Sequence, residues 1–153
     1  MDSDKVDKIY PGGLKTGVVK ARELIVHGPV EIGLAISDNA IIIGKGRISM
    51  LICLGNCILM SMNGLLHVDK LHGINALILG SKKPVYIGSL RTMSLYADKA
   101  IIGVLEAKYA VLGNRCIVDR LEKTEKLVFT DPHVYMKSIG EIGETQYTYE
   151  LLE

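Results

Sequence analysis

The stretch Ile41-Ile-Ile-Gly44 shows the pattern that decides the fold of this chain, three apolar residues closed by a small one. The pattern recurs along the chain, and its closing residues are separated by 16, 17, 19, 17, 16 and 17 residues. A nearly fixed period of this kind is typical of stacked structural repeats. The copies are Ile25-Val-His-Gly28, Ile41-Ile-Ile-Gly44, Ile58-Leu-Met-Ser61, Leu77-Ile-Leu-Gly80, Ser94-Leu-Tyr-Ala97, Ala110-Val-Leu-Gly113 and Leu127-Val-Phe-Thr130.

Each repeat predicts two or three short strands with Gly or Asn at the bends. Coils that stack in parallel satisfy the backbone groups of every strand. We therefore predict an all-β protein with one parallel β-helix (β-solenoid) domain at 18–136, built from about seven coils of 16–19 residues. Residues 1–17 are expected to form a polar N-terminal tail and residues 137–153 a C-terminal tail. An up-and-down barrel is the alternative.

Three asparagines share one position of the repeat, five residues before the closing residue. They are Asn39, Asn56 and Asn75. Asn tolerates left-handed backbone and forms local side-chain turns, so we expect these residues at a corner of the solenoid.

Side chains alternate between the two faces of a strand, which divides each triplet strand into inward and outward positions. The inward set is largely small or branched, and each buried aliphatic side chain should stabilise the fold by roughly 1.5–3 kcal/mol. The predicted inward residues are Leu24, Val26, Ala40, Ile42, Cys57, Leu59, Ala76, Ile78, Met93, Leu95, Tyr109 and Val111.

The outward positions of the same strands are also mostly apolar, although they should meet water. An exposed apolar surface of this extent predicts an interaction surface, either for another copy of the chain or for another protein. The alternative is that Tyr147-Thr-Tyr-Glu-Leu-Leu152 covers it as an added strand. The self-association candidates are Ile25, Ile41, Ile43, Ile58, Met60, Leu77, Leu79, Leu127 and Phe129; Ser94, Tyr96, Ala110 and Leu112 are also predicted outward.

The ends of a solenoid are open unless something caps them. Lys126 is predicted to point inward among Glu122, Lys123 and Glu125, which would form a partial C-terminal cap. The N-terminal end is preceded by Tyr10-Pro-Gly-Gly13, which covers little. We expect association through the less protected end.

The charge balance gives no reason to expect nucleic acid or an acidic membrane as partner, because 18 basic and 17 acidic residues leave a net charge of +1. The charged N-terminus, Met1-Asp-Ser-Asp-Lys5, resembles neither a signal peptide nor a membrane anchor. The three cysteines are sparse and odd in number, which favours reduced thiols in the cytoplasm.

Coils of this length, rich in Ile, Val and Gly, resemble those of the bactofilins over residues 18–136. The best matching stretches are Asn39-Ala-Ile-Ile-Ile-Gly-Lys-Gly-Arg-Ile48 and Tyr109-Ala-Val-Leu-Gly-Asn-Arg-Cys-Ile-Val118. The resemblance implies a right-handed β-helix, a cytoskeletal role and nucleotide-free filaments made by stacking helix ends. The period alone does not set the hand. The polar N-terminal tail and the inserted Ser81-Lys-Lys-Pro84 depart from the family pattern.

One constellation suggests chemistry. His67-Val-Asp-Lys-Leu-His72 is similar to part of the metal-binding pattern of left-handed β-helix carbonic anhydrases, with His27 as the third candidate. Zinc would need three converging imidazoles, whereas His27 and His67 are predicted two coils apart, roughly 10 Å along the axis. We expect histidines at turns, with no metal or other cofactor and no catalytic residues.

Cys57 is expected to be a buried thiol, and Cys116 is expected near a bend. Cys53-Leu-Gly-Asn-Cys57 is spaced too widely for a redox pair, and Cys57 aligns with the core. The sequence thus predicts a non-enzymatic protein that self-assembles through its ends and its apolar outer wall. The alternatives are a β-helix binding or dimerisation module of fixed size and a β-helix metalloenzyme.

Overall fold

The computed structural model describes residues 6–149, which form a β-solenoid of about eight turns in which all strands are parallel. This topology confirms the predicted fold class and excludes the barrel. No helix in residues 6–149 is long and apolar enough to cross a bilayer. The strands are β1 Lys8–Tyr10, β2 Leu14–Cys53, β3 Asn56–His72, β4 Asn75–Leu79, β5 Val85–Asp98, β6 Ala100–Leu112, β7 Cys116–Phe129 and β8 Val134–Tyr147.

Each coil has three faces, which the coil at 40–52 illustrates. The first face is 40–44, the second is 46–48 and the third is 50–52, and each pairs with the equivalent face of β3. Strand β2 is 40 residues long because pairing continues around the corners of successive coils. Side chains that point inward from the three faces fill a single narrow core.

The core consists of columns in which equivalent residues of successive coils lie above one another. One column of the third face contains almost only leucine, and all its members from the third to the seventh coil are buried. Each member pairs with the next at strand spacing, about 4.8 Å, so the branched side chains pack in continuous contact. This column is Leu51, Leu71, Leu90, Leu105 and Leu121.

The three asparagines occupy one corner, as predicted. Asn56 pairs with Asn75; the Asn56 backbone N–H donates to Asn39 Oδ1 at 2.8 Å, and Asn75 Nδ2 donates to Asn56 Oδ1 at 3.0 Å. The left-handed backbone that Asn tolerates does not occur there; in the part of the chain that the structure describes, the non-glycine residues with positive φ are Asn63, Lys99 and Arg115. The asparagines therefore stabilise the corner through a side-chain ladder between coils.

Inward and outward positions are confirmed for the first four repeats, whose eight predicted inward residues are all buried. The alignment is wrong from the fifth repeat onward. Ala97 pairs with Ile78 and Leu112, whereas equivalence of the closing residues would place it between Gly80 and Gly113. Successive equivalents of Ala40 lie 17, 19, 19, 15 and 17 residues apart, so the fifth repeat starts two residues later, and the sixth and seventh one residue later, than the closing residues indicate.

The shift has two consequences. In the fifth repeat it equals two residues, which keeps Leu95 in the core but leaves Met93 at a corner with 45% exposure. In the sixth repeat the observed register is displaced by one residue from the predicted one. A displacement of one residue exchanges the two faces of a strand. The residues whose predicted side is therefore wrong are Tyr109, Val111 and Lys126, which point outward, and Ala110, Leu112, Leu127 and Phe129, which point into the core.

Strand pairing extends beyond the predicted domain boundaries on both sides. β1 pairs with β2 from Lys8, and β8 pairs with β7 as far as Tyr147. Segments predicted as tails therefore contribute coils, which accounts for a solenoid of about eight turns where seven were predicted.

Leu112→Asp should unfold the domain, because it places an unpaired charge at a position with no solvent exposure. A loss above about 4 kcal/mol is expected. The neighbouring Val111→Asp should cost about 1 kcal/mol or less, since Val111 points outward. Urea denaturation followed by circular dichroism measures the unfolding free energy of both variants. A larger loss for Val111→Asp than for Leu112→Asp would contradict this register.

Candidate functional site: the apolar wall and the solenoid ends

The first face of the solenoid carries an apolar column on its outer side. Its members pair directly from one coil to the next and are half-buried for the most part, because each is flanked by the residues above and below. Similar apolar side chains stacked at strand spacing form a continuous ridge. The column is Ile41, Ile58, Leu77, Tyr96, Val111 and Val128, with Ile9 and Ile25 before it and Gln146 after it.

A second outward column, Ile43, Met60 and Leu79, runs beside the first and ends at Asp98. We call the two columns together the apolar wall. Seven of the nine predicted self-association residues lie on it. Leu127 does not, because it is in the core and Val128 takes the outward place. Phe129 packs against the core and stacks on Tyr147, with ring centroids 5.3 Å apart.

A shallow groove crosses the wall at its centre. Leu77 and Tyr96 form its floor, and Asn56, Asn75 and Ser94 form its corner side. Tyr96 is the most exposed ring on the wall. The groove is open and mostly apolar, which suits contact with another surface better than enclosure of a small molecule.

The described residues of the C-terminal segment do not cover the wall. Tyr147 pairs with Phe129 as the next rung of the same inner column, and the Thr148 backbone N–H donates to Phe129 O at 3.0 Å. The segment thus begins another coil at the end of the solenoid. Residues 150–152 of the predicted strand lie outside the described residues.

The C-terminal end is formed by β8 and exposes part of the core. Ile139 continues the leucine column above Leu121 and is 57% exposed, whereas Leu121 is fully buried. Val134, Met136 and Ile142 are only partly buried against the core.

The predicted cap does not form at this end. Lys126 pairs with Tyr109 and Glu144 on the outer side of the first face, because Leu127 occupies the inward position. The Lys126 ammonium therefore does not close the core.

The N-terminal end is formed by β1 and the first part of β2. Tyr10 and Leu14 are partly buried against the core, and Val19 is buried. Between Lys8 and Lys20 the chain has three lysines and no acidic residue. Asp7 directly precedes β1 and pairs with Arg22 at 2.8 Å, so this end carries charges of both signs around its apolar columns.

The histidines do not converge. His67 lies on the second face, where it pairs with Arg47 and Tyr86, whereas His72 lies on the third face beside Ile52 and Arg91. His27 precedes a corner at which Gly28 packs against Gly44, on the first face. Side chains on different faces of a prism point apart, so these three do not form the site considered from the sequence. No cluster of three metal-ligating groups occurs in residues 6–149.

His67 instead belongs to a surface network on the second face. Its Nε2 lies 3.0 Å from Asp69, which also accepts a hydrogen bond from Arg47 at 2.9 Å. The imidazole meets the ring of Tyr86 edge to face, with centroids 4.5 Å apart. These contacts link three coils and account for His67 structurally.

Cys53 and Cys57 flank one corner and are both buried. Their thiols titrate as a pair: a hydrogen bond from the Cys57 thiol lowers the pKa of Cys53 to about 7, against the opposing effect of burial. The same contact, together with burial, raises the pKa of Cys57. Cys53 Sγ, when protonated, donates to Asn56 O at 3.0 Å.

Cys116 is a buried thiol near a bend and donates to Ala97 O at 3.2 Å. All three cysteines thus contribute to packing, as the sequence indicated for Cys57. The low pKa of Cys53 was not predicted, because the hydrogen bond that causes it depends on how the corner brings two thiols together.

Cys57→Ala should raise the titration midpoint of Cys53 from about 7 toward 9.0, because the thiol donor is removed. Cys57→Ser, which keeps a hydroxyl donor, should shift it less. Ultraviolet thiolate absorbance against pH measures the step. Cys116→Ala is the control and should leave the low step unchanged; a low step that persists in Cys57→Ala would contradict the assignment.

No known protein family, curated protein or solved structure gives a significant match to this chain. The resemblance to the bactofilins therefore rests on the repeat itself.

Proposed function

We propose that this protein is a non-enzymatic scaffold that self-assembles into filaments or higher oligomers, in the manner of the bactofilins. The observation that carries the proposal is the open C-terminal end, where Ile139 and its neighbours continue the core columns into solvent. A further coil placed there would bury these side chains and pair the free backbone groups of β8.

The driving force at such an end is the same as that between coils inside the domain. Each coil adds parallel backbone pairing on three faces and a layer of aliphatic contacts. Burial of one exposed aliphatic side chain contributes roughly 1.5–3 kcal/mol. Several such side chains at one end can offset the entropy lost on association.

The apolar wall is the second surface available for association. Its first column extends from Ile9 to Val128, whereas its second column is apolar only from Ile43 to Leu79 and ends at Asp98. Contact between walls would join solenoids side by side. The same wall would serve the alternative function, that of a binding or dimerisation module of fixed size. Its partner would then be a second copy of the chain or another protein.

We place the protein in the cytoplasm and propose that it needs no cofactor. The three unbridged thiols fit a reducing compartment. Two of the surface histidines make local contacts: His67 Nε2 lies 3.0 Å from Asp69, and His133 Nδ1 lies 2.9 Å from Asp131. The flat faces and ends of the solenoid offer contact surfaces for a protein partner.

Purified protein should form particles whose mass grows with concentration, because open ends add subunits without a geometric limit. Light scattering over a concentration series measures the mass, and negative-stain electron microscopy shows the shape. A single small species at every concentration would reject the polymer and favour the fixed oligomer.

Ile41→Asp or Leu77→Asp should keep the fold and weaken lateral association by about 2 kcal/mol if walls contact each other. Val104→Asp is the matched control, since Val104 is the outward residue between Ser89 and Arg120 on the third face. Sedimentation velocity measures association, and circular dichroism checks the fold. Equal association of all three variants and the wild type would exclude the wall as an interface.

A further inference from the structure

Two of the three cysteines of the chain lie at one corner of the solenoid. Cys53 is the last residue of β2 and Cys57 is the second residue of β3, and both side chains point into the core. In an extended strand the three residues between them would hold the thiols too far apart for a redox pair. The corner turns the chain instead, so that the Cys57 thiol donates a hydrogen bond to Cys53 Sγ. The two sulfur atoms are therefore neighbours.

Packing does not require sulfur at either position. Cys57 lies in its column between Ala40 and Ala76, so a side chain as small as alanine fills the same place in the coils on both sides. In the column of Cys53 the hydroxyl of Thr92 makes the same kind of hydrogen bond to a corner carbonyl. The coincidence of two thiols at one corner thus points to chemistry as well as packing.

The backbone of this corner is fixed by the coils on either side. The Leu54 N–H donates to Ser37 O at 2.9 Å in the preceding coil, and the Asn75 N–H of the following coil donates to Gly55 O at 3.1 Å. Groups that a rigid scaffold holds together lose little entropy when a bond forms between them. The corner therefore favours a reaction between its own two thiols over a reaction with another chain.

The surroundings of the thiols leave room for a small reagent. Cys53 and Cys57 are only 2% and 1% exposed, which keeps bulky molecules away. Gly73 follows the residue that pairs with Ile52, and a Cβ added to it would meet no atom closer than Cys53 O, at 3.6 Å. Cys57 is also among the residues that line the groove at the centre of the wall. A reagent close to water in size suits this site.

The two thiols differ in readiness to react. The hydrogen bond from Cys57 lowers the pKa of Cys53 to about 7, so a large fraction of Cys53 is thiolate at neutral pH. The same contact and burial raise the pKa of Cys57, which keeps Cys57 protonated. Because the thiolate is the nucleophile, Cys53 is the first of the two to attack an electrophile.

We propose that Cys53 and Cys57 form a peroxide-reactive dithiol, which hydrogen peroxide converts into a disulfide across the corner. The reagent is small enough for a buried site, and its reaction with a thiolate that has a second thiol beside it ends in a disulfide. The proposal concerns a chemical modification and does not rest on self-assembly.

The reaction has two steps. The Cys53 thiolate attacks one peroxide oxygen, the O–O bond breaks, and Cys53 becomes a sulfenic acid while the other oxygen leaves as hydroxide and takes up a proton to form water. The Cys57 sulfur then loses its proton and attacks Cys53 Sγ; the S–O bond breaks, the S–S bond forms, and the second oxygen leaves as water. Two thiols are oxidised and one peroxide is reduced to two waters.

Peptide mapping tests the product. Trypsin cuts after Arg47, Lys70 and Arg115, so both cysteines of the pair lie in the peptide 48–70 while Cys116 lies in a separate one. Folded protein is treated with dilute peroxide, quenched with acid, unfolded and alkylated. The peptide 48–70 should lose two hydrogen atoms and escape alkylation, whereas oxidation of its methionines only adds oxygen. Dithiothreitol should restore both thiols.

Cys116 is the matched control within the same molecule, because it is also buried but has no thiol partner. It should react at least about tenfold more slowly than the pair. Circular dichroism before and after treatment verifies that the protein remains folded. Equal rates for the three cysteines, a disulfide between two chains, or a disulfide that forms only in urea would overturn the proposal.

Two variants test the separate roles of the thiols. Cys57→Ser keeps a hydroxyl donor beside Cys53 but removes the second sulfur, so no disulfide should form and Cys53 should accumulate as sulfinic acid, with two added oxygen atoms. Cys53→Ser removes the first nucleophile, so Cys57 should react as slowly as Cys116. Oxidation of Cys57 at the wild-type rate in Cys53→Ser would overturn the assignment of Cys53 as the thiol that peroxide attacks.

Discussion

Parallel pairing between equivalent residues of successive coils is the interaction on which the rest of this structure depends. It satisfies the backbone and simultaneously places each side chain above its equivalent. The leucine column from Leu51 to Leu121 inside and the ridge from Ile41 to Val128 outside are both products of this one constraint. Among the described strands, β1 and β8 stand at the two ends of the sheet and each pairs with one neighbouring strand.

Polar groups in the interior are confined to the corners, where carbonyl groups turn toward the core. Thr92 and Thr124 occupy a small-residue column and donate to corner carbonyls, Thr92 to Ser94 O at 3.1 Å and Thr124 to Lys126 O at 3.2 Å. Cys53 stands in the same column and makes the corresponding contact to Asn56 O. The lowered pKa of the Cys53 thiol thus arises at a position where the fold uses a small hydrogen-bond donor.

The triangular shape also limits the chemistry that the surface can perform. Neighbouring faces of a prism diverge, so side chains that are close in sequence, such as His67 and His72, point in different directions. Residues on one face form flat ladders that suit contact with other flat surfaces. The wall offers lateral contact, perpendicular to the solenoid axis, whereas the ends offer contact along the axis. The two surfaces would therefore extend an assembly in different directions.

The sequence by itself determined the period, the parallel solenoid, the asparagine corner and the inward and outward sides of the first four repeats. Those features follow from local periodicity, which is visible in triplets such as Ile41-Ile-Ile-Gly44. The register of Ala97, Leu112 and Leu127 was decided only by the tertiary structure. Corners absorb insertions and deletions without changing the strands, so a small closing residue can move by one or two positions, and a shift of one exchanges the two faces.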